Sequence, residues 1–498
     1  MLYISTRGKA EMVSASHAIA SGLASDGGLF VPKELPRLSL SEIQSMEGLS
    51  YGERAVAVLS RFLTDFTELE LCDCVSKAYS PEKFGENIVS LHRVKNNVDV
   101  LELWHGPTSA FKDMALQMLP QLLTKAVRKT GEQKKLVILV ATSGDTGKAA
   151  LEGFAHVEGT EVIVFYPNDG VSPMQRLQMI TQEGSNVHVV AVEGNFDDAQ
   201  TGVKTLFGDK NLAEDLLAKG MSFSSANSIN WGRLVPQIVY YFSAYVDAMS
   251  SGKIKPGEEI NFSVPTGNFG DILAGYYAKL MGLPVHKFIC ASNSNNVLSD
   301  FINTGVYNRN RPFHKTISPS MDILISSNLE RLLFAKTENN SQQVAKWMEE
   351  LKEKGQYAVG KELQDKILTD FFATWVDEIE TKETIGDVYN NYNYVLDTHS
   401  AVAYRALEKY RLLTSDSRYS VVLSTASPFK FSQSVLEALE PQESFGELEP
   451  FAAMELLSKK AKLLTPEPLV ELASKAVLHK DIVDKTGLEA KVREILGV

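Results

Sequence analysis

The stretch Leu136-Val137-Ile138-Leu139-Val140-Ala141-Thr142-Ser143-Gly144-Asp145-Thr146-Gly147 decides how this chain is read. Its apolar run is far shorter than the roughly 20 residues needed to cross a bilayer. It is also unbroken, without the alternation of a half-solvated strand. That combination suits a strand covered on both faces, as in a parallel sheet. Small residues then make a turn, and residues 147–156 read as a helix.

Outward from there the same rhythm repeats. Strands are expected at residues 161–166 and 187–192, with helices at 172–183 and 197–207. Upstream, a strand at 98–103 and a Gly-Pro loop lead to a helix over about 112–129. Downstream come a strand at 259–264, a Gly-rich turn, a helix at 271–281 and a strand at 285–291. A helix at 401–412 and a strand at 419–424 close the series. Such alternation predicts βαβ units on parallel sheets, an α/β fold. Three regions break the rhythm. Residues 1–90 read as a mostly helical N-terminal domain, with helices at 15–23, 51–63 and 70–78. A charged helical insertion interrupts the 91–430 core at about 328–387, and residues 431–498 read as a helical C-terminal region. Within the core, a smaller α/β domain is expected over about 112–195.

The 498 residues are 44% hydrophobic and 22% charged, ordinary values for a globular protein. A net charge of −12 disfavours nucleic acid and anionic membrane as partners. Three cysteines make no disulfide framework, which fits a reducing compartment, and residues 1–11 lack the basic-then-apolar pattern of a secretory signal. A cytoplasmic protein is expected. Cys72-Asp73-Cys74 has no second Cys/His pair at zinc spacing, so no metal site is expected.

Chemistry concentrates in three loops, each after a strand and before a helix, where the ligand crevice of an open parallel sheet lies. Trp104-His105-Gly106-Pro107-Thr108-Ser109-Ala110-Phe111-Lys112-Asp113 puts a lysine at a helix start, where the dipole disfavours a cation. Beside an aromatic ring and small residues, such an amine is suited to stay neutral and attack an aldehyde. A snorkelling surface lysine beside Asp113 is the alternative. In Thr142-Ser143-Gly144-Asp145-Thr146-Gly147, backbone amides can approach an anion at a helix N-terminus, or simply form a tight turn. Gly147-Lys148 is no P-loop, because Thr142 stands where a glycine is required and Ala149 replaces the Ser/Thr. Pro265-Thr266-Gly267-Asn268-Phe269-Gly270-Asp271 can cup a phosphate ahead of the next helix, and a plain turn is again the alternative.

In this order the three loops resemble those of the fold-type II pyridoxal-phosphate enzymes, whose tryptophan synthase β-like fold has two parallel-sheet α/β domains with helices on both faces. His105-Gly106-Pro107-Thr108 with Phe111-Lys112-Asp113 is similar to the cofactor-lysine motif of the threonine synthase family. Ser5-Thr6-Arg7-Gly8, Asp26-Gly27-Gly28-Leu29-Phe30, Tyr166-Pro167, Ser172-Pro173 and Ser225-Ala226-Asn227-Ser228-Ile229-Asn230 extend the resemblance over nearly the whole chain. The length and helical N-terminal domain resemble the longer class found in many bacteria and fungi.

The resemblance implies pyridoxal 5'-phosphate as cofactor, with Lys112 as the catalytic lysine that carries it as a Schiff base beside Phe111. It implies that Thr266, Gly267, Asn268, Phe269 and Gly270 hold the cofactor phosphate, that Asp145 borders the cofactor, and that Thr425 meets the pyridine nitrogen. Ser143, Gly144, Thr146 and Gly147 would grip the substrate carboxylate. Ser228, Asn230, Arg233 and Lys430 would take a substrate phosphate, an ion pair on its own helix being the alternative for Arg233. His399 also matches the family, or serves as a structural residue at a helix start. The implied reaction converts O-phospho-L-homoserine and water to L-threonine and phosphate, by a monomer or homodimer. A phospho-lyase or dehydratase releasing 2-oxobutyrate, or a catalytically silent binding relative, are the alternatives. Two departures stand out. Ser427 replaces a histidine of many relatives. Asp145 stands where other fold-type II enzymes have asparagine near the cofactor's phenolic oxygen, and a carboxylate there repels a phenolate unless protonated or paired.

Overall fold

The apolar runs assemble two sheets. The smaller has the strand order Asp481–Asp484, Val187–Glu193, Thr160–Pro167, Lys135–Ala141, Met221–Ser224, every neighbouring pair parallel. The larger runs Phe371–Trp375, Val285–Ser292, Ile260–Pro265, Ser420–Ser424, Val98–Glu102, Ser90–Lys95, and only the last pair is antiparallel. The computed structural model describes residues 1–498 apart from 132, 133, 143 and 170, and apart from the side chain of residue 197. Thr160–Pro167 and Ile260–Pro265 are buried along their whole length, the reason their sequences do not alternate. Among the described residues, no helix is long and apolar enough to cross a membrane.

The N-terminal region is helical as expected, with Ala15–Ser21, Leu40–Gln44, Tyr51–Phe62 and Glu68–Ala78 beside a two-stranded antiparallel sheet, Tyr3–Ser5 with Phe30–Pro32. Three of these helices start on capping boxes, Ser39/Glu42, Ser50/Glu53 and Thr67/Glu70, in which side chain and backbone satisfy each other's orphan donors. Consecutive residues of the insertion clamp this region to the core. Glu330 accepts from Thr6 Oγ1 at 2.6 Å and from Arg7 Nε and Nη2 at 3.0 and 2.9 Å. Arg331, fully buried, donates to the carbonyls of Phe30, Ser228 and Ile229.

Four expectations need correction. The helix read over about 112–129 is two, Asp113–Leu116 and Met118–Thr130, because Pro120 has no N–H to return to the carbonyl of Leu116. The insertion is not purely helical. Its Phe371–Trp375 is an edge strand of the larger sheet, and its Gln356–Ala358 pairs antiparallel with Val306–Asn308. The C-terminal region likewise ends the smaller sheet with Asp481–Asp484. Finally, the smaller sheet reaches beyond residue 195 through Met221–Ser224. These strands run only three to five residues, too few to establish a period of their own.

Candidate active site

Lys112 caps the short helix Asp113–Leu116, at the mouth of the larger sheet. The loop before it is held on both sides. Thr108 donates through N and Oγ1 to Asp113, both at 2.8 Å, and Phe111 N donates to the carbonyl of Thr425 at 2.8 Å. The Lys112 side chain is turned inward and only 11% exposed, so the snorkelling alternative does not describe it. Its Nζ donates to Ser320 Oγ at 3.0 Å, lies 3.7 Å from Asp145 Oδ2 and sits 5.7 Å from the Phe111 ring centre. Burial pushes its ammonium down to about 8, with Asp145 opposing and Lys430 and Arg233 assisting. An amine of that kind is largely free base at mildly alkaline pH.

Asp145 is paired. Lys430 Nζ donates to its Oδ1 at 2.6 Å, Gln175 Nε2 to the same oxygen at 2.9 Å, and Ser320 Oγ to Oδ2 at 3.1 Å. Burial works against the charge, but the ammonium groups of Lys430 and Lys112 outweigh it and hold the carboxyl far below its usual range. A carboxylate here is expected to need protonation or a partner, and pairing is what the structure supplies. The same contact redefines Lys430, whose fully buried amine also donates to the Thr108 carbonyl at 3.0 Å. It is committed to Asp145 and does not face a substrate phosphate.

Arg233 is buried and donates through Nη1 to the Lys112 carbonyl at 2.8 Å, while its Nε has no partner among the described residues. Burial lowers it to about 10. Among the described residues no carboxylate forms an ion pair with it, on its own helix or elsewhere, so it stands as an unpaired cation beside Lys112. Asn230 is different. Its Oδ1 caps the helix Trp231–Ser250 through Gly232 N at 2.9 Å, and its Nδ2 donates to the Ile19 carbonyl at 3.0 Å. Both ends serve the fold, which leaves this fully buried side chain no group for a substrate.

The two glycine loops also divide. Thr142 Oγ1 accepts from the amides of Gly144 at 3.0 Å and Gly147 at 2.9 Å, so neither amide is left for a substrate carboxylate. Thr146 is partly exposed at the second position of the helix Asp145–Phe154. Ser143 lies outside the described residues. At the second loop Thr266 Oγ1 turns back to the Val264 carbonyl at 2.7 Å, and Phe269 adopts a left-handed conformation at φ 61° just before the helix Gly270–Met281. Among the described residues, the amides of Gly267, Asn268, Phe269 and Gly270 donate to no protein acceptor. Asn328 supports this turn from behind. It donates to the Asn268 carbonyl through N at 3.2 Å and Nδ2 at 3.1 Å, and to Ser228 Oγ at 2.8 Å. A Cβ on Gly267 would lie 2.6 Å from the carbonyl of Ser320, which ties the turn to the residue that Lys112 contacts.

Ser320, Asn328, Gln175 and Thr142 escape the sequence reading, because a lone Ser, Asn, Gln or Thr carries no spacing signal. His399 is a structural ligand of the site: its Nδ1 bonds Asp397 Oδ1 at 2.9 Å and its Nε2 accepts from Ser320 N at 3.1 Å. Ser427, in place of the relatives' histidine, starts the 3-10 segment Pro428–Phe431, its Oγ accepting from Phe429 N. The residues present fit pyridoxal phosphate. A neutral-prone amine suits the aldehyde, and acceptor-free amides at a helix start suit the phosphate. Among the described residues, no group of His, Cys, Asp and Glu side chains could hold a metal ion.

Comparison with known proteins agrees with this geometry. Residues 2–79 match the family "Threonine synthase N terminus", residues 87–362 "Pyridoxal-phosphate dependent enzyme", and residues 400–483 "Threonine synthase, C-terminal". Threonine synthase-like 1 of Pongo abelii is 42% identical over 438 residues, 86% of this chain, and the chain spans only 58% of that relative's length. Threonine synthase of Pseudomonas aeruginosa is 42% identical over 442 residues, 88% of this chain and 90% of the relative. Among solved structures, the pyridoxal-phosphate-bound threonine synthase from Brucella melitensis superposes with a TM-score of 0.87 at 37% identity, covering 99% of both chains. The chain belongs to the fold-type II pyridoxal-phosphate-dependent enzymes and, within them, to the threonine synthase family.

Proposed function

We propose that this protein is a threonine synthase, a pyridoxal-phosphate-dependent lyase that converts O-phospho-L-homoserine and water to L-threonine and phosphate. The observation that carries the proposal is the buried Lys112 amine, bonded to Ser320, whose carbonyl packs on the acceptor-free turn at residues 267–270. That turn would hold the cofactor phosphate, Lys112 its aldehyde carbon, and the Thr425 hydroxyl its ring nitrogen; Thr266 has no donor to add, its hydroxyl bonding the Val264 carbonyl and its amide the Ala291 carbonyl. Pyridoxal phosphate bound there would supply an electron sink for charge developing on the substrate carbons.

The chain's own residues supply the rest. Lys112 Nζ, easily deprotonated, is suited to take the proton from the substrate Cα and return it. Arg233, with Ser228 close to the turn, is suited to the substrate phosphate, since a planar guanidinium matches phosphate oxygens. The Asp145–Lys430 pair presents a fixed dipole with no net charge. The buried Asp145, Lys430 and Arg233 limit the access of water to the amine. The free cysteines Cys72, Cys74 and Cys290 fit a cytoplasmic enzyme, which we place there as a monomer or homodimer.

The test is a visible spectrum of wild type and Lys112→Ala with added pyridoxal phosphate, followed by product analysis on phosphohomoserine. Wild type should gain a cofactor band absent from the variant and release threonine, with turnover at least about 1,000-fold lower in Lys112→Ala. Release of 2-oxobutyrate without threonine would identify a phospho-lyase instead.

A further inference from the structure

Ser320 occupies a place that the proposed reaction does not by itself require. Its hydroxyl bridges the amine and the carboxylate from one side, accepting from Lys112 Nζ at 3.0 Å and donating to Asp145 Oδ2 at 3.1 Å, while those two groups lie 3.7 Å apart. Lys430 reaches the other oxygen of the same carboxylate at 2.6 Å with nothing in between. One buried carboxylate thus meets two lysines, one at hydrogen-bond distance and one at 3.7 Å with a hydroxyl bridging the pair.

We propose that Ser320 is a positioning residue for Lys112: bridging Nζ and Asp145, its hydroxyl holds the two at their observed separation, keeps the amine from closing to hydrogen-bond distance of the carboxylate and so keeps it available as a free base, and His399 holds it in that place. The inference rests on the reading of Lys112 as the cofactor lysine. The hold on Ser320 is specific. Its amide donates to His399 Nε2, which leaves the ring proton on Nδ1, given to Asp397 Oδ1. Asp397 in turn caps the helix Thr398–Thr414, accepting from the amides of His399 and Ser400. The backbone of Ser320 is therefore anchored at the start of that helix, independently of the contacts its hydroxyl makes with Lys112 and Asp145.

The charged groups that face Lys112 Nζ are Asp145, at the start of the helix Asp145–Phe154, Lys430 on the segment Pro428–Phe431, and Arg233 on the helix Trp231–Ser250. Two are cations and favour the free base; only Asp145 favours the ammonium. Burial sets the amine low, and the distance to Asp145 is the part of that balance that Ser320 can change. At an effective dielectric near 20, shortening the pair from 3.7 Å to an ordinary ion-pair distance of about 2.8 Å raises the amine's midpoint by about one pH unit.

The experiment measures capture of pyridoxal phosphate by the apoprotein, a step that needs Lys112 unprotonated, as a rate against pH. The cofactor's own titrations are common to all variants, so differences between them report the amine. Wild type should show a midpoint near 8. In Ser320→Ala the midpoint should rise by about one unit, slowing capture about tenfold below it, while Ser320→Thr, which keeps the hydroxyl, should restore the wild-type value. His399→Asn withdraws the acceptor for the Ser320 amide and should shift the midpoint in the same direction by less; it carries the test if Ser320→Ala does not fold. A midpoint in a folded Ser320→Ala or His399→Asn protein that is unchanged or lower overturns the inference. Failure of wild type to capture the cofactor at all would strike the reading of Lys112 instead.

Discussion

Two glycine-rich turns in this molecule follow a parallel strand, precede a helix and look interchangeable as sequence, yet they spend their amides in opposite ways. In the turn after Lys135–Ala141, Thr142 Oγ1 takes the amides of Gly144 and Gly147. In the turn after Ile260–Pro265, Thr266 directs its hydroxyl back to Val264, and the four amides that follow keep no protein acceptor among the described residues. Both turns begin with threonine. The first is a self-satisfied joint that aims Asp145 into the site; the second keeps its donors open, as the proposed phosphate site requires. A glycine-rich turn is therefore a ligand site only when its donors are not already consumed.

That contrast can be broken by substitution. The largest effect is expected from Gly267→Ala, whose Cβ would press on the Ser320 carbonyl at 2.6 Å. Overpacking of this kind costs about 1–3 kcal/mol of stability, and the displaced turn should lower cofactor affinity about 100-fold, as read by equilibrium titration of the folded apoprotein. A full-affinity Gly267→Ala protein would mean that the turn does not hold the phosphate.

Next comes Asp271, in the first turn of the helix behind the cradle. Tyr240 OH and Tyr241 OH both donate to its Oδ1, at 2.5 and 2.9 Å, and Oδ2 has no partner among the described residues. Burial raises the carboxyl to about 6, against the two tyrosine hydroxyls that lower it. A group raised on folding contributes stability below its unfolded value and loses it as pH climbs through the folded one. Wild type should therefore lose stability between about pH 4 and 6. Asp271→Asn should be the more stable protein at pH 8, by about 2 kcal/mol, with the advantage gone near pH 4. Thermal midpoints at the two pH values decide it.

The smallest effect on cofactor binding is expected from Thr142→Val. Loss of one hydroxyl leaves two buried amides unmet and should lower stability by about 1–2 kcal/mol. Cofactor affinity should change by less than about threefold, because the cradle is a separate turn. A large loss of affinity would show that the two turns act as one.

How far the sequence reaches can be argued from the same residues. Lys112 is readable because a lysine at a helix start contradicts the local dipole, and such contradictions collect at functional sites. Arg233 is readable as a cation, but its lack of a counter-ion is not. Asn230 misleads for a physical reason: asparagine is equally a ligand and a helix cap, and only the placement of Gly232 N and the Ile19 carbonyl tells which. Asp481–Asp484 is hidden because it is mostly exposed and polar, and its strand state comes from Val187–Glu193 beside it.

The amino-acid sequence alone determined the α/β architecture, through apolar runs too continuous for one-sided strands, and the order of the three loops that meet at the site. These are properties of neighbours along the chain, where burial and periodicity leave a direct imprint. Tertiary structure alone decided the charge of Asp145, through a lysine 285 positions away, the insertion of Ser320 beside Lys112 from 208 positions away, and which turn keeps its amides open. Electrostatic and hydrogen-bond states depend on distances of a few ångströms between remote residues, and no local pattern encodes them.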